Sequence, residues 1–166
     1  AEKSWTHPRQ IQRLNPQITD WEHIQPRTVL AMPRVFRAQP STRPMRILIR
    51  LSAKTMQLYD GDSQLLAHFP CSIARRVEKR PVGRLEVVTV APNPNYTFNP
   101  ANFPESGEAQ RIGRKLILQP GPNNPVGLAW IGLNLSGYGI HGSPEPEKIG
   151  RTESAGCIRL SNWNTE

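Results

Sequence analysis

The feature that most constrains the fold is a series of short apolar runs that begins at residue 45. In the first run, 45–51, every second residue is a large aliphatic one: Ile47, Ile49 and Leu51. Further runs follow between Gly, Pro and Asn breakers, at 55–60, 65–74, 83–91, 114–120 and 127–133. Alternation with a period of two, bounded by breakers, predicts strands. We therefore predict a mainly β domain, a mixed sandwich or barrel with few short helices.

Composition supports one globular domain. With 166 residues, the chain is long enough to bury one sizeable core. Its 37% hydrophobic and 20% charged residues fit a soluble globular protein and do not fit a disordered one. The 17 Pro and 12 Gly favour many short elements joined by turns. No run approaches the ~20 apolar residues of a transmembrane helix, so we do not expect the chain to span a membrane.

Positive charge narrows the choice of partners only slightly. The formal net charge is +8, from 21 Lys and Arg against 13 Asp and Glu, and such a surface attracts acidic polymers. The basic residues are scattered except for one dense cluster: Arg75, Arg76, Lys79 and Arg80. No aromatic-studded basic helix or zinc-finger spacing accompanies this cluster. We predict a solvated basic loop and no nucleic-acid partner.

Residues 1–33 form a separate small α+β unit in this interpretation. Four apolar residues stand mostly at helical spacing, Ile11, Leu14, Ile18 and Ile24, and an extended "TVLAMP" follows. The segment resembles the second half of a lysin motif, in which Asn-Pro precedes a helix and a strand ends in Ile-Pro. Arg27 stands where that motif usually has Gly. We expect a lysin-motif-like accessory segment that packs on the main domain, followed by a linker at 34–44.

The stretch 92–113 shows no periodicity and is predicted to be a long loop, either a functional lid or partly disordered. It carries three aromatic residues, Tyr96, Phe98 and Phe103. These side chains either line a substrate groove or pin the loop to the core.

Cys157 is the candidate nucleophile, because small residues precede it in "SAGC". Small residues let backbone amides converge on one point, as an oxyanion site requires. A nucleophilic thiol also needs a base, and His141 follows the strand-like run 136–140. Cys71 lies within an apolar run and fits a small buried hydrophobe. No Cys/His cluster has the spacing of metal ligands, so no metal or other cofactor is expected.

The whole stretch 140–163 resembles the catalytic signature of the L,D-transpeptidases, the YkuD-like family. In that signature His-Gly is followed, about sixteen residues on, by Ser/Thr-His-Gly-Cys, a hydrophobic residue, Arg and a nearby Asn. The positions that match are His141, Gly142, Ser154, Gly156, Cys157, Ile158, Arg159 and Asn162. The resemblance covers roughly residues 45–162. It implies a mainly β catalytic domain over 45–166, with the active site at the end of a sheet.

The resemblance also implies a reaction. The Cys157 thiolate attacks the third residue of a peptidoglycan tetrapeptide stem and expels D-alanine, and an amine of a second stem then takes the acyl group, giving a 3→3 cross-link. His141 is the base, oriented by the Gly142 carbonyl or the Ser143 hydroxyl, and amides around Gly156 and Cys157 stabilise the oxyanion. The residues expected to bind substrate or shape the site are Arg159, Asn162, Ser154 and Tyr138.

Two departures from the signature affect the expected function. Ala155 stands where the family has a second histidine, so we expect a weakened enzyme. The chain ends at Glu166, before the closing element usual in the family, so a truncated C-terminal end is expected. The substrate implies an exported protein of the periplasm or cell envelope. Two other functions remain open: a non-catalytic peptidoglycan-binding protein, and a hydrolase in which water replaces the acceptor amine.

Overall fold

A computed structural model describes residues 4–35, 42–150 and 154–166. The described residues contain three short helices, α1 Pro8–Leu14, α2 Gly107–Ile112 and α3 Asn162–Thr165. They also contain nine strands: β1 Arg46–Arg50, β2 Thr55–Tyr59, β3 Leu65–Pro70, β4 Val87–Pro92, β5 Tyr96–Phe98, β6 Leu116–Leu118, β7 Ala129–Leu133, β8 Gly139–His141 and β9 Ile158–Arg159. The predicted mainly β fold with few short helices is confirmed.

The strands form two main sheets and one small one. β1, β2 and β3 make an antiparallel sheet in that order. The second sheet has the order β4-β7-β8-β9, antiparallel except for the parallel pair β8–β9. β5 and β6 form a separate antiparallel pair. Each of the six apolar runs predicted to be a strand overlaps one, although β4 is exposed along most of its length.

The core lies between the two main sheets. Its buried members come from both of them and from the segments that follow β3 and β9: Met56, Cys71, Ile73, Ile140, Ile158 and Leu160. Ile47 and Ile49 of β1 pack against this cluster, as the alternation in β1 predicts. Burial raises the pKa of the Cys71 thiol to about 11, so this cysteine is a small apolar side chain of the core.

The N-terminal segment contains a helix but not the predicted strand. α1 ends at Leu14 although helical spacing continues beyond it, because Pro16 has no N–H and disfavours a helical residue before it. Residues 28–33 have no regular secondary structure, so the α+β prediction for this segment is wrong. The side chain of Asn15 takes the place of a strand pairing, since it bonds both the N–H and the C=O of Ala31 at 2.8 Å. Residues 36–41 of the predicted linker lie outside the described residues.

The stretch 92–113 is ordered rather than a long loop, which corrects the prediction. It contains β5, a 3₁₀ turn at Pro100–Asn102 and α2. The Ser106 hydroxyl caps α2 by accepting the Ala109 N–H at 3.2 Å, and Gly113 ends the helix with φ 62°. Phe98 and Phe103 stack with ring centroids 5.6 Å apart, so they hold the stretch together. Elements this short give no periodicity in sequence.

Candidate active site

The pairing of β8 with β9 brings the two halves of the signature together. His141 and Cys157 are 16 residues apart in sequence. In the sheet, Ile140 is paired with Ile158 and His141 with Arg159. Successive side chains of a strand point to opposite faces. Since Ile140 and Ile158 face the core, His141 and Arg159 face the other way. Cys157 directly precedes β9, and continuing the alternation puts this candidate nucleophile on the same face as the candidate base His141.

His141 is held as a neutral imidazole with one defined tautomer. Its Nδ1 lies 2.7 Å from the carbonyl oxygen of Gly142. Because a carbonyl only accepts, Nδ1 carries the proton and Nε2 keeps the free electron pair. Burial lowers the pKa of His141 to about 4, the bond to Gly142 raises it, and the charge of Arg159 lowers it. The ring is therefore a proton acceptor across the neutral range.

The Gly142 carbonyl, and not the Ser143 hydroxyl, is bonded to the ring of the candidate base His141. The Ser143 hydroxyl instead accepts the Glu145 N–H at 3.2 Å and so caps the following turn. Gly142 is fixed by its own N–H, which donates to the Ala129 carbonyl at 3.2 Å. A Cβ at Gly142 would stand 2.2 Å from Oδ1 of Asn162. The close approach of this side chain explains why the residue after the base is glycine.

The Cys157 thiol is half-buried and stays protonated at rest. Burial raises its pKa, while the Gly139 N–H and the charge of Arg159 lower it. The S–H group donates to the Gly137 carbonyl at 3.6 Å. The resting pair is therefore thiol and neutral imidazole, because burial disfavours the charged form of both groups. Such a thiol needs a base to remove its proton as it attacks.

Ser154 holds the loop that carries the nucleophile. Its hydroxyl donates to the Cys157 carbonyl and accepts the Gly156 N–H at 3.2 Å. Ser154 is 4% exposed, so the structure favours a positioning role over the expected contact with substrate. The Gly156 N–H was expected to face the oxyanion, but it donates to the Ser154 hydroxyl instead. The ring of Tyr138 lies beside Gly156, where a Cβ would meet it at 3.6 Å.

Asn162 is also placed to position other groups rather than to touch a substrate. Its side chain is 0% exposed. Oδ1 accepts the Leu128 N–H at 3.2 Å, and Nδ2 donates to the Pro122 carbonyl at 3.1 Å. The residue thus ties the 122–128 loop to the end of β9, next to Gly142. The expected substrate contact would require these buried hydrogen bonds to break.

Three further residues lie at the site, and only one of them, Tyr96, was singled out in the sequence. Trp130 of β7 stacks on His141, and the Gly139 N–H lies at the thiol. Burial and then the charge of Cys157 raise the pKa of Tyr96, so β5 brings this phenol close to the nucleophile. Tyr96 was expected either to line a substrate groove or to pin the loop to the core. The positions of Trp130 and Gly139 at the site follow only from the strand register.

Ala155 is exposed at the mouth of the site. The preceding residues 151–153, which include Arg151 of the matching stretch, lie outside the described residues. Within the described ranges, no three His, Cys, Asp or Glu side chains are grouped to hold a metal ion. No helix in this part of the chain combines the length and the apolar character needed to cross a bilayer.

Comparison with known proteins identifies the domain. The family model described as "L,D-transpeptidase catalytic domain" (YkuD) matches residues 44–166. The YkuD protein of Bacillus licheniformis is 29% identical over 123 residues, which are 74% of this chain and 57% of that protein. The ErfK/SrfK protein of Escherichia coli is 30% identical over 130 residues, 74% of this chain and 39% of that protein. The chain thus spans about half the length of the curated relatives it matches.

A solved structure shows the same fold. L,D-transpeptidase 3 from Mycobacterium tuberculosis, in complex with a faropenem-derived adduct, superposes with a TM-score of 0.52 at 18% identity, over 72% of this chain and 52% of that one. The family match begins at residue 44, so it gives no support to a lysin motif in residues 1–33. It covers both halves of the signature and all the strands of both main sheets, and the chain therefore belongs to the L,D-transpeptidase (YkuD) family.

Proposed function

We propose that the chain is a peptidoglycan L,D-transpeptidase that forms 3→3 cross-links through a thioester on Cys157. The observation that carries the proposal is the placement of a neutral His141, with its Nε2 electron pair free, on the same sheet face as the thiol. A nucleophile and a base fixed on adjacent strands are the minimum that acyl transfer requires. Membership of the family supports the choice of substrate.

In the first half-reaction, Sγ attacks the carbonyl of the third residue of the donor stem while its proton passes to Nε2 of His141. A bond forms between Sγ and carbon, and the carbonyl oxygen becomes an oxyanion. When this intermediate collapses, the C–N bond to D-alanine breaks, and the proton on His141 passes to the leaving amine. His141 is neutral at rest and so has a free electron pair for the thiol proton, and its low pKa makes the protonated ring a strong acid toward the leaving amine.

In the second half-reaction, the amine of an acceptor stem attacks the thioester and gives its proton to His141. The C–S bond breaks, the thiolate leaves, and His141 returns the proton to sulfur. Arg159 of β9, two residues after Cys157, stabilises the transient thiolate, since its charge lowers the pKa of Cys157. Tyr138 and Tyr96 flank the thiol region and are proposed to contact the stem peptide.

The substrate sets the expected location and rate. Peptidoglycan lies in the cell envelope, so we propose that the protein acts there after export. The net charge of +8 suits a polymer whose stem peptides carry free carboxylates. Ala155 retains the backbone of the nucleophile loop but lacks the second histidine of the family signature. We propose that this lowers the rate without abolishing it.

Incubation with purified tetrapeptide muropeptides tests the proposal. A cross-linked dimer with loss of D-alanine is expected from the parent, and none from Cys157→Ser. Cys71→Ala is the matched control, because that thiol is fully buried in the core and out of reach of a substrate. Release of tripeptide alone would establish a hydrolase, and binding without any product would establish a binding protein.

Acylation by a carbapenem gives a second, independent measurement. The strained carbonyl of the antibiotic should acylate Cys157, as the faropenem adduct of the Mycobacterium tuberculosis protein suggests for this fold. Peptide mapping by mass spectrometry locates the adduct. An adduct on Cys71 alone, or an equal adduct in Cys157→Ser, contradicts the assignment of the nucleophile.

A further inference from the structure

Trp130, which is not part of the signature, stacks on His141, the proposed base. β7 and β8 pair so that Trp130 lies directly opposite His141. The indole and imidazole rings stack with centroids 5.6 Å apart and an interplanar angle of 19°. The two side chains are cross-strand neighbours on the face that carries Cys157.

Two glycines give the indole a slot in which it lies flat on the sheet. Gly132 and Gly139 are paired two residues along from Trp130 and His141, so they are the next pair on the same face of the sheet. A Cβ at Gly139 would stand 2.6 Å from Cζ2 and 2.8 Å from Cη2 of Trp130. A Cβ at Gly132 would stand 3.1 Å from its Nε1. Because no side chain occupies either position, the backbone fixes where the indole lies.

We propose that Trp130 is a positioning residue whose indole fixes the plane of the His141 imidazole so that Nε2 faces the Cys157 thiol. The bond from Nδ1 to Gly142 anchors one atom of the ring but leaves rotation about that anchor. A stacked surface removes this rotation, because tilting the ring breaks the contact along its whole face. This proposal rests on the proposed function and adds the residue that orients its base.

The stack also keeps water from one face of the imidazole. Within the described residues, the charged group that acts on His141 is Arg159 of β9, and the nearby titratable group is the thiol of Cys157. From β7 the contact is the uncharged indole. Removing the indole therefore admits water without removing a charge, and water favours the protonated ring. The consequence is a change in pH dependence that a packing defect elsewhere would not produce.

The test compares Trp130→Leu and Trp130→Phe, with Trp21→Leu in the N-terminal segment as the matched control. The carbapenem acylation rate of Cys157 is measured between about pH 5 and pH 8, and the His141 imidazole is titrated by NMR without substrate. In Trp130→Leu we expect the pKa of His141 to rise toward its usual value. The acylation rate near pH 5.5 should then fall by about tenfold relative to pH 8, since a pKa of about 6.5 leaves one ring in ten neutral there.

At pH 8 the rate of Trp130→Leu should fall by about two- to tenfold, the size of one aromatic stacking contact. Trp130→Phe restores a stacked ring and should recover most of both effects. Gly132→Ala places a methyl group against the indole and should raise the pKa of His141 by less than Trp130→Leu does. This variant keeps the proposal testable if Trp130→Leu does not fold.

The two readouts separate failure of this proposal from failure of the proposed function. An unchanged imidazole titration in both Trp130→Leu and Gly132→Ala overturns the positioning role, whatever the acylation rates are. Equal rate losses at every pH overturn it as well, because they indicate packing alone. If the His141 titration shifts in Trp130→Leu but the parent protein is never acylated, Trp130 still orients His141. In that case the transpeptidase proposal is overturned and the positioning proposal is kept.

Discussion

Replacing Asn162 by alanine should unfold part of the site rather than weaken substrate binding. The side chain is 0% exposed and bridges the 122–128 loop to the end of β9. Its Oδ1 satisfies the Leu128 N–H at 3.2 Å, and its Nδ2 satisfies the Pro122 carbonyl at 3.1 Å. Both Gly127 and Gly142 pack against Oδ1, since a Cβ at either would stand 2.0 or 2.2 Å from that atom. Alanine would leave a cavity at the point where these segments meet.

The magnitude follows from the two hydrogen bonds and the cavity. A typical intramolecular hydrogen bond contributes about 0.5–1.5 kcal/mol, and a buried group left unpaired costs about 1–3 kcal/mol. Both partners are backbone groups of a partly buried loop, so water can restore some of the loss. We therefore expect Asn162→Ala to lower the free energy of unfolding by roughly 2–4 kcal/mol. The acylation rate should fall as well, because Gly142 orients His141.

Urea unfolding and Michaelis–Menten kinetics on the same preparation measure both effects. Asn164→Ala, in the same short helix, is the matched control and should change the unfolding free energy by less than about 0.5 kcal/mol. A raised KM with an unchanged unfolding free energy in Asn162→Ala would refute this reasoning and restore the expected contact between Asn162 and the substrate.

Three further predictions concern stability. The pKa of His141 is about 4 in the fold and about 6.5 when unfolded, so the unfolded chain binds the extra proton first. The contribution of His141 to the free energy of unfolding should be fully present above about pH 6.5 and should fall by about 3 kcal/mol as the pH is lowered to 4. Urea unfolding of His141→Gln should not show this loss. Gly127→Ala should lower the free energy of unfolding by more than about 3 kcal/mol, because Gly127 has φ 68° and an added Cβ would stand 2.6 Å from the Gly142 backbone. Gly83→Ala, at φ 90° with open space around the added Cβ, should lower it by about 1–2 kcal/mol, and thermal unfolding measures both. Arg27→Gly should raise the free energy of unfolding by up to about 1 kcal/mol in the same measurement, since Arg27 has φ 68°, a conformation that glycine adopts without strain.

The strands and the signature that contains His141 and Cys157 could be recognised because each is a short-range pattern in the sequence. Alternation within 45–51 puts Ile47 and Ile49 on the same face of β1, and this face packs against the core. Cys157 and His141 belong to a signature whose residue types follow from the chemistry. The N-terminal helix was misplaced for the opposite reason. Apolar spacing continued past Leu14, but Pro16 and the long-range bonds of Asn15 to Ala31 decided the structure.

The supporting residues were not predictable, because their roles depend on which strands become neighbours. Trp130 reads as an ordinary apolar residue of β7 until the register places it opposite His141. Asn162 and Ser154 were expected to bind substrate or to shape the site, and the sequence alone left both roles open. Their burial shows instead that they satisfy backbone groups, and burial is a property of the folded chain rather than of the motif. Short elements such as β5 and α2 lack the length over which periodicity can be recognised.

Ala155 offers a test of chemistry that is separate from folding. The loop around the nucleophile is held by the Ser154 hydroxyl, which bonds Gly156 and Cys157, so the side chain at 155 is not needed for the loop's shape. Residue 155 is exposed, and a larger side chain there meets solvent rather than the core. Ala155→His should therefore leave the unfolding free energy within about 0.5 kcal/mol of the parent.

If an imidazole at this position donates a hydrogen bond to charge that develops in the transition state, the acylation rate should rise by about 10²–10³, the size of one oxyanion-hole donor. Ala155→Gln, which adds a neutral donor of similar length, should recover part of that gain. An unchanged rate in a folded Ala155→His protein would show that the second histidine does not limit this site, and the attenuation proposed for Ala155 would be wrong.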